Sequence, residues 1–374
     1  MSILIGADIV PSGRNKCLFA DGDVKSLVGD DLIKILMDAD YRVFNLETPL
    51  VDEIDPIDKC GSNLFANSST IFGLKKLGVN LFTLANNHIM DQGEKGLIST
   101  INILNENGIS HIGAGCNLKQ AQEPFILDVK NRKIGFYACA EHEFSIAEDN
   151  FPGANPFDLL ESFDHIAELK KVCDYVIVLY HGGKEHYQYP SPMLQKVCRK
   201  FVQKGADLVI CQHSHCIGCE EVYGNARIVY GQGNFIFDSN YGPYSQTSLL
   251  IKLTDNMEIE YFPIVKKERG IRLASDKCAE NILSDFKKRS SQLEDVNFVN
   301  KNYKEFAKKS LSEYMLTFSG YSHKTFIRIL NRLCGRKLTN RIIRRYTKKE
   351  MLAIRNFVEC EAHRELFLTG LKND

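Results

Sequence analysis

The chain repeats one local pattern, in which a short apolar strand ends in polar side chains that are able to bind a metal and a helix then follows. The clearest example is the stretch Val79–Asp91, whose apolar first half breaks into four such side chains before Gly93 opens an amphipathic helix. These four are Asn86, Asn87, His88 and Asp91. Buried parallel strands release polar groups into the crevice at their carboxyl ends. The pattern therefore predicts an α/β fold with a site at one edge of a sheet.

Composition sets the class of protein. The chain has 374 residues, of which 44% are hydrophobic, enough for a large buried core. Lysine plus arginine and aspartate plus glutamate both number 47, so overall charge gives no reason to expect nucleic acid. The start of the chain has no basic region followed by an apolar run, so we expect no signal peptide. Together with twelve scattered cysteines, this favours a cytoplasmic protein with reduced thiols.

Two domains are expected, an α/β body over residues 1–270 and a helical appendage over 271–374. Apolar residues recur with a helical period from Asp276 onward, which indicates the appendage. Within it, residues 323–349 contain ten basic side chains and no acidic one. Two interpretations stay open: a solvated helical face, or a contact with an anionic membrane surface or a polymer synthase at the inner face of the membrane.

Five predicted strand ends carry groups that could bind a metal ion. They carry Asp8, Asn45 with Glu47, Asn87 with His88, His181, and His213 with His215. Any one of these residues alone is more often structural, but five loops at one sheet edge indicate a common site. Imidazole, amide and carboxylate ligands without a thiolate suit Mn, Fe or Zn. A Cys216-Ile-Gly-Cys219 motif could indicate a zinc or redox site, although two structural thiols are the favoured interpretation.

Several sequence blocks resemble the CapA family, which is associated with bacterial poly-γ-glutamate and capsule synthesis. The resemblance covers residues 2 to about 265. The blocks are Asn45-Leu-Glu-Thr-Pro49, Leu84-Ala-Asn-Asn-His-Ile-Met-Asp-Gln-Gly93, Gly113-Ala-Gly115, His181-Gly-Gly-Lys-Glu185, Gly205-Ala-Asp-Leu-Val-Ile-Cys-Gln-His-Ser-His215 and Gly231-Gln-Gly-Asn-Phe235. The resemblance implies an α/β fold of the metallophosphoesterase-like αββα sandwich type, with the helical appendage at its carboxyl end.

The resemblance also implies a role for each site residue. Asp8 and His215 would hold one metal ion, Glu47 would bridge, and a second ion would be held by Asn87, His181 and His213. His88 would protonate the leaving oxygen, and Asp91 would orient its imidazole. Val10 stands where metallophosphoesterases usually carry a histidine, so whether one or two ions bind stays open.

The implied substrate is a phosphorylated or otherwise anionic, polymer-related molecule. Arg14 is a candidate for binding its anion, with a plain surface arginine as the alternative. The other candidate substrate-binding residues are Asn45, Glu185, His186 and Asn234. We expect a metal-dependent hydrolase acting on an intermediate of capsule, poly-γ-glutamate or surface-polysaccharide synthesis. The alternative is a non-catalytic binding or assembly subunit of a polymer-synthesis complex.

Overall fold

The computed structural model describes residues 1–129, 131–238, 242–318, 329–331, 333–334, 341, 344 and 346–371. The chain divides into two compact units, Met1–Val299 and Asn300–Asp374. Strands and helices alternate through the first unit, whereas the described part of the second unit is helical. The predicted α/β class with helices at the carboxyl end is confirmed.

The strands of the first unit form two sheets and a short ribbon. In chain order they are β1 (Ile3–Val10), β2 (Tyr41–Leu46), β3 (Leu81–Thr83), β4 (Ser110–Ile112), β5 (Ala114–Gly115), β6 (Phe125–Val129), β7 (Arg132–Ala140), β8 (Gly153–Ala154), β9 (Tyr175–His181), β10 (Leu208–Gln212), β11 (Glu220–Tyr223), β12 (Ala226–Val229), β13 (Asn234–Phe237), β14 (Thr247–Leu253), β15 (Ile259–Lys267) and β16 (Gly270–Leu273).

The first sheet has the strand order β16–β15–β14–β1–β2–β3–β4, with β13 paired to β1, and the second has the order β11–β12–β10–β9–β7–β6. Strands β1 to β4 run parallel to one another, as do β7, β9, β10 and β12. The apolar segments 125–129 and 133–138, joined by a turn at Asn131, predict a hairpin, and strands β6 and β7 form it. The φ of Asn131, 61°, is the left-handed conformation of a tight turn. Each sheet therefore brings several carboxyl ends to one edge.

The apolar run of β9 shows why the sheets stack. Ile177 and Leu179 join a core shared with the first sheet, whereas Val176 and Val178 join a second core on the other face. Side chains alternate between faces along a strand, so a continuous apolar run has two faces to bury. The shared core contains residues of both sheets, and the result is the predicted αββα sandwich.

Helices cover the outer faces of the two sheets. In chain order those of the first unit up to Gln203 are α1 (Lys16–Asp21), α2 (Val24–Asp38), α3 (Ile71–Lys76), α4 (Gly93–Glu106), α5 (Leu118–Ala121), α6 (Ser162–Val172) and α7 (Pro192–Gln203). Helix α7 begins as its sequence predicts, because the Ser191 side chain accepts a hydrogen bond from the Leu194 amide and Pro192 occupies the first turn.

The first unit continues beyond residue 270, the expected end of the α/β body. Helix α8 (Asp276–Ser291) packs on this body, where the ring of Phe286 lies 5.0 Å from that of Tyr261. Arg289 Nε donates to Gly218 O at 2.7 Å, and the Glu220 amide donates to Ser290 Oγ at 2.8 Å. These apolar and polar contacts explain why α8 belongs to the first unit.

The carboxyl-terminal part of the chain is described as helices α9 (Phe298–Phe318), α10 (Lys348–Glu359) and α11 (Glu361–Leu371). Thr347 caps α10 reciprocally with Glu350, a capping box. Most of the basic segment 323–349 lies outside the described residues. In the part of the chain that the structure describes, no helix combines the length and apolar composition needed to cross a membrane.

Candidate metal centre

The six predicted metal ligands meet between the two sheets, not at one edge of a single sheet as the sequence suggested. The first sheet contributes Asp8 on β1, Glu47 after β2 and Asn87 after β3. The second sheet contributes His181 at the end of β9, and His213 and His215 after β10. All six side chains are buried. The site therefore forms because the two sheets face each other across one shared core.

His181 Nε2 is the centre of the densest group of ligand atoms. It lies 3.1 Å from Asn87 Oδ1, 3.2 Å from Glu47 Oε1 and 3.2 Å from His213 Nδ1. One ring nitrogen carries at most one hydrogen, so it can satisfy only one of these three neighbours. A shared cation would satisfy all of them at once. The donor set therefore fits a divalent transition metal.

A second group of ligand atoms surrounds His215. Its Nδ1 lies 3.4 Å from Asp8 Oδ2 and 2.7 Å from Asn234 Oδ1, while Asn45 Nδ2 donates to Asp8 Oδ1 at 2.8 Å. The pairing of β1 with β2 shifts register between Ile5 and Asp8, an irregularity of the kind that re-aims side chains at sites. Val10 is buried and offers no ligand atom.

Glu47 joins the two groups. Ligand atoms of Glu47, His213 and His215 all lie within 4.8 Å of one another. Among the described residues, Glu47 Oε2 has no hydrogen-bond donor, and Oε1 faces only the ring nitrogen of His181. A fully buried carboxylate in this state is costly unless a positive charge is close. The orphaned oxygen is the observation that most favours a cation here.

The pKa values follow from burial and from these neighbours. Burial lowers the pKa of His213 well below its ordinary value, and His181 and His215 lower it further, so His213 is held in the neutral form that binds metals. Burial also acts to lower the pKa of His215, but the carboxylates of Glu47 and Asp8 outweigh it and raise that pKa to about 10. Burial acts to raise the pKa of Glu47, but His215 and His181 bring it below its ordinary value. The two carboxylates thus draw positive charge into the site.

His213 and His215 adopt backbone conformations that are rare for residues other than glycine. Their φ angles are 75° and 52°, in the left-handed region. Such a conformation costs on the order of 1–2 kcal/mol per residue for an L-amino acid. Strained backbone of this kind occurs preferentially at functional sites, where it sets the direction of a side chain. Here it turns two histidines that are separated by one residue toward the same buried carboxylate.

His88 and Asp91, the predicted acid and its orienting partner, lie together beside this centre. His88 Nδ1 is 2.5 Å from Asp91 Oδ2. The preceding Asn86 supports the turn, because its Oδ1 accepts the His88 amide at 3.1 Å and its Nδ2 donates to Leu46 O at 2.9 Å. His88 is therefore presented by a turn that is itself hydrogen-bonded to the end of β2.

Two charged residues at the site were missed from the sequence. Glu143 Oε2 accepts from Asn87 Nδ2 at 2.9 Å, and Glu143 Oε1 lies 3.9 Å from His213 Nε2. The usable signal was β7, an apolar strand that also ends in polar groups but was interpreted only as half of a hairpin. Lys59 Nζ contacts Asp91 Oδ1 at 2.5 Å. It comes from an irregular stretch with no periodic pattern, so no sequence signal pointed to it.

The candidate substrate-binding residues lie in different settings. Asn45 and Asn234 contact the ligands Asp8 and His215, respectively. The His186 ring is 6.3 Å from that of His215, and the preceding Glu185 is half-buried. Arg14 forms a two-pronged pair with Asp238, from Nε to Oδ2 at 3.0 Å and from Nη2 to Oδ1 at 2.7 Å. The pair uses two of the five N–H donors of the Arg14 guanidinium, whose side chain is 62% exposed.

Cys216 and Cys219 are buried side chains of the first unit. Burial raises the pKa of the Cys216 thiol to about 11, which keeps it protonated and a poor metal ligand. The group of candidate ligand atoms found among the described residues, that of Glu47, His213 and His215, contains no thiol. These features agree with the favoured interpretation of structural thiols.

The chain is similar in sequence to proteins of bacterial capsule synthesis. Capsule biosynthesis protein CapA of Bacillus anthracis is 31% identical over 231 residues, which are 59% of this chain and 56% of that protein. PGA biosynthesis protein CapA of Bacillus subtilis is 30% identical over 209 residues, 54% of each chain. This chain therefore spans only a little over half the length of these relatives.

A Mycobacterium tuberculosis relative, named as a polyglutamine synthesis accessory protein, is 26% identical over 212 residues, 53% of this chain and 56% of that one. Among solved structures, a phosphatase from Mycoplasma pneumoniae has 15% identity and a TM-score of 0.45, covering 72% of this chain and 94% of its own. The model of one family, described as bacterial capsule synthesis protein PGA_cap, matches residues 3–239. This match covers more than half of the sequence, and the chain belongs to the PGA_cap family of bacterial capsule synthesis proteins.

Proposed function

We propose that this protein is a metal-dependent, phosphoesterase-like hydrolase that acts on a phosphorylated or otherwise anionic intermediate of capsule or poly-γ-glutamate synthesis. The observation that carries the proposal is the convergence of Glu47, Asn87 and His213 on His181 Nε2, beside a carboxylate oxygen without a donor. The relatives' names supply the biosynthetic context.

Each side chain has a role that follows from its position. Glu47, Asn87, His181 and His213 would hold one metal ion, and Asp8 and His215 would complete a second position with Glu47. Mn, Fe or Zn bound there would polarise a phosphoryl oxygen and activate water for attack. His88 would donate a proton to the leaving oxygen, and Asp91 would hold its ring for that transfer.

The number of ions depends on the group around His215. The His181 group offers four candidate ligand side chains, those of Glu47, Asn87, His181 and His213. The His215 group lacks a ligand at Val10, where metallophosphoesterases usually carry a histidine. His215 Nδ1 already contacts Asn234 Oδ1 at 2.7 Å. We therefore propose that the His181 group binds its ion more tightly and that the second position fills only at higher metal concentration.

A non-catalytic assembly subunit is the second candidate function. It is favoured by the name of the Mycobacterium tuberculosis relative, which describes an accessory protein. In that case the same pocket would bind the polymer or its precursor without turning it over. The basic segment 323–349 would contact an anionic membrane surface or the synthase at the inner face of the cytoplasmic membrane.

One experiment tests the enzyme proposal. Purified protein is analysed for transition metals, and hydrolysis of p-nitrophenyl phosphate and bis-p-nitrophenyl phosphate is measured after loading with Mn, Fe or Zn. We expect a bound metal, turnover that depends on it, and loss of both in His181→Ala. His111→Ala, which removes a half-buried histidine of the first sheet, is the matched control and should retain both. Protein without metal, and without turnover after loading, would contradict the proposal.

A further inference from the structure

Lys59 is a lysine in an unusual place. Its side chain is only 2% exposed, although it comes from a stretch between β2 and α3 that has little regular structure. Burying an ammonium group is costly unless a partner compensates for its lost hydration. The partner here is Asp91, whose carboxylate is 1% exposed and lies 2.5 Å from Lys59 Nζ. The ammonium also lies 3.4 Å from His88 Nδ1 and 3.5 Å from Asn87 O.

The contacts of Asp91 divide between its two oxygens. Oδ1 accepts from Lys59, whereas Oδ2 faces His88 Nδ1 and accepts the Leu64 amide, each at 2.5 Å. A carboxylate held on both oxygens has no freedom to rotate about its last side-chain bond. The Leu64 amide holds the oxygen that faces His88, and Lys59 on the other oxygen supplies the second point of attachment, which fixes the plane of the carboxylate.

The same corner anchors the stretch that carries Lys59. The Asp55 amide donates to Gln92 Oε1 at 2.8 Å, the Ile57 amide donates to Asp91 O at 3.2 Å, and Gln92 Nε2 donates to Leu64 O at 3.1 Å. These bonds already close the stretch over Asp91 without any lysine. A role limited to loop closure therefore does not require a buried ammonium.

We propose that Lys59 is a positioning residue for His88, and that it acts by fixing the carboxylate of Asp91 in a Lys59–Asp91–His88 chain of contacts. This inference rests on the role proposed above for His88 in proton donation. Its structural content is independent of turnover: without the ammonium, Asp91 rotates and the His88 ring loses its fixed direction. Residues that orient a functional side chain in this way commonly contribute about 10- to 100-fold to activity.

The test uses the full chain with Lys59→Met, which removes the charge and keeps an unbranched side chain that is one heavy atom shorter. The primary measurement is the downfield proton resonance of the His88 imidazole N–H, identified by its loss in His88→Gln. We expect the resonance to shift or to disappear in Lys59→Met. With metal loaded, we expect kcat on bis-p-nitrophenyl phosphate to fall about 10- to 100-fold, with KM and metal content little changed.

Lys170→Met is the matched control. Lys170 Nζ contacts Asp207 Oδ2 at 2.8 Å, and that oxygen also accepts the Val176 amide at 2.8 Å, so the variant breaks a lysine–aspartate–amide arrangement away from the site, although this one is more exposed than that of Lys59. The control should lose stability yet keep the His88 resonance and kcat. Lys59→Gln, which keeps a polar group in the cavity, is the second variant should Lys59→Met fail to fold, and it too should shift the resonance.

An unchanged His88 resonance in either folded Lys59 variant would overturn the inference, even if the loop loosened or the protein lost stability. A shifted resonance in a protein that shows no turnover at all would support the inference on Lys59 and count against the hydrolase proposal. The two failures are therefore distinguishable.

Discussion

The two halves of the candidate centre differ in chemistry and in how they are held. The first sheet contributes candidate oxygen ligands, from Asp8, Glu47 and Asn87, and the second contributes candidate ring-nitrogen ligands, from His181, His213 and His215. Carboxylates bring negative charge to the site, whereas a neutral imidazole brings a directional lone pair. The mixed set of oxygen and nitrogen donors therefore exists only once the two sheets are packed together.

The means of support differ as well. On the oxygen side, amide side chains form a buried chain: Asn86 Nδ2 donates to Asn45 Oδ1 at 3.1 Å, and Asn45 Nδ2 donates to Asp8 Oδ1 at 2.8 Å. On the nitrogen side, the left-handed backbone at His213 and His215 sets the direction of the rings. Hydrogen bonds between side chains therefore orient the oxygen half of the centre, and backbone strain orients the nitrogen half.

The largest effect is expected where the halves meet. Glu47→Gln removes the charge that both groups of ligands share, so bound metal should be lost, and turnover should fall more than about 100-fold, beyond the cost of losing an outer-sphere partner. Metal analysis and phosphodiesterase assays measure this. Glu221→Gln is the control, because Glu221 is another buried carboxylate but pairs with Arg199 away from the site. Full metal retention in Glu47→Gln would show that Glu47 does not join the two groups of ligands.

His88 belongs to the first sheet's side of the site but stands outside the metal ligands. His88→Ala should therefore retain bound metal and lose about 10²- to 10⁴-fold in turnover, the range of a general acid. The measurement is metal content and kcat on the same preparation. If the metal disappears together with the activity, His88 is itself a ligand, and the set of ligands assigned to the first sheet must include it.

The strained histidines allow backbone and ligand effects to be separated. His213→Gly and His213→Ala should lose metal equally, but the glycine variant should be more stable by about 0.5–1 kcal/mol, because glycine adopts a φ of 75° without strain. Urea unfolding of the metal-free variants measures the difference. His181 lies on a regular strand, so the order should reverse there, with His181→Gly the less stable. If the glycine and alanine variants have the same order of stability at both positions, backbone strain does not orient the histidines of the second sheet.

The smallest effect is expected outside both halves, at the Arg14–Asp238 pair. The hydrogen bonds from Arg14 lower the pKa of Asp238 from its ordinary value to about 2. A lowered pKa stabilises the folded state above the unfolded-state pKa near 4, and this stabilisation is lost as the pH falls toward 2. Arg14→Met should thus lower the urea midpoint slightly at about pH 6, with the difference shrinking below about pH 4. A constant difference across this range would show that Arg14 stabilises by other contacts.

Individual elements of the α/β body could be inferred from local pattern, whereas the sandwich arrangement was implied by the family resemblance. The apolar run Asp174–Tyr180 predicts a buried strand and Gly93 opens a predicted helix, and the structure has them as β9 and α4. Local signals were weaker at irregular positions. The sequence predicts that Ser69 caps a helix through Lys76, but Asn67 caps the turn instead by accepting a hydrogen bond from the Ser69 amide, and a short 3₁₀ segment precedes the helix. A cap depends on where the chain enters the helix, which neighbouring residues do not specify.

The polar residues at the end of each strand could be identified from the amino-acid sequence, because periodicity and chain order are local properties. It therefore indicated the ligand-type residues and the α/β class. Only the tertiary structure decided that these residues come from two facing sheets, that Glu47 joins them, and that Lys59 and Glu143 reach the same corner. Those outcomes depend on which strands pair and which faces pack. Burial of the core sets the strand pairing and the packing of the faces. It brings together residues that lie too far apart along the chain for a local pattern to encode their contact.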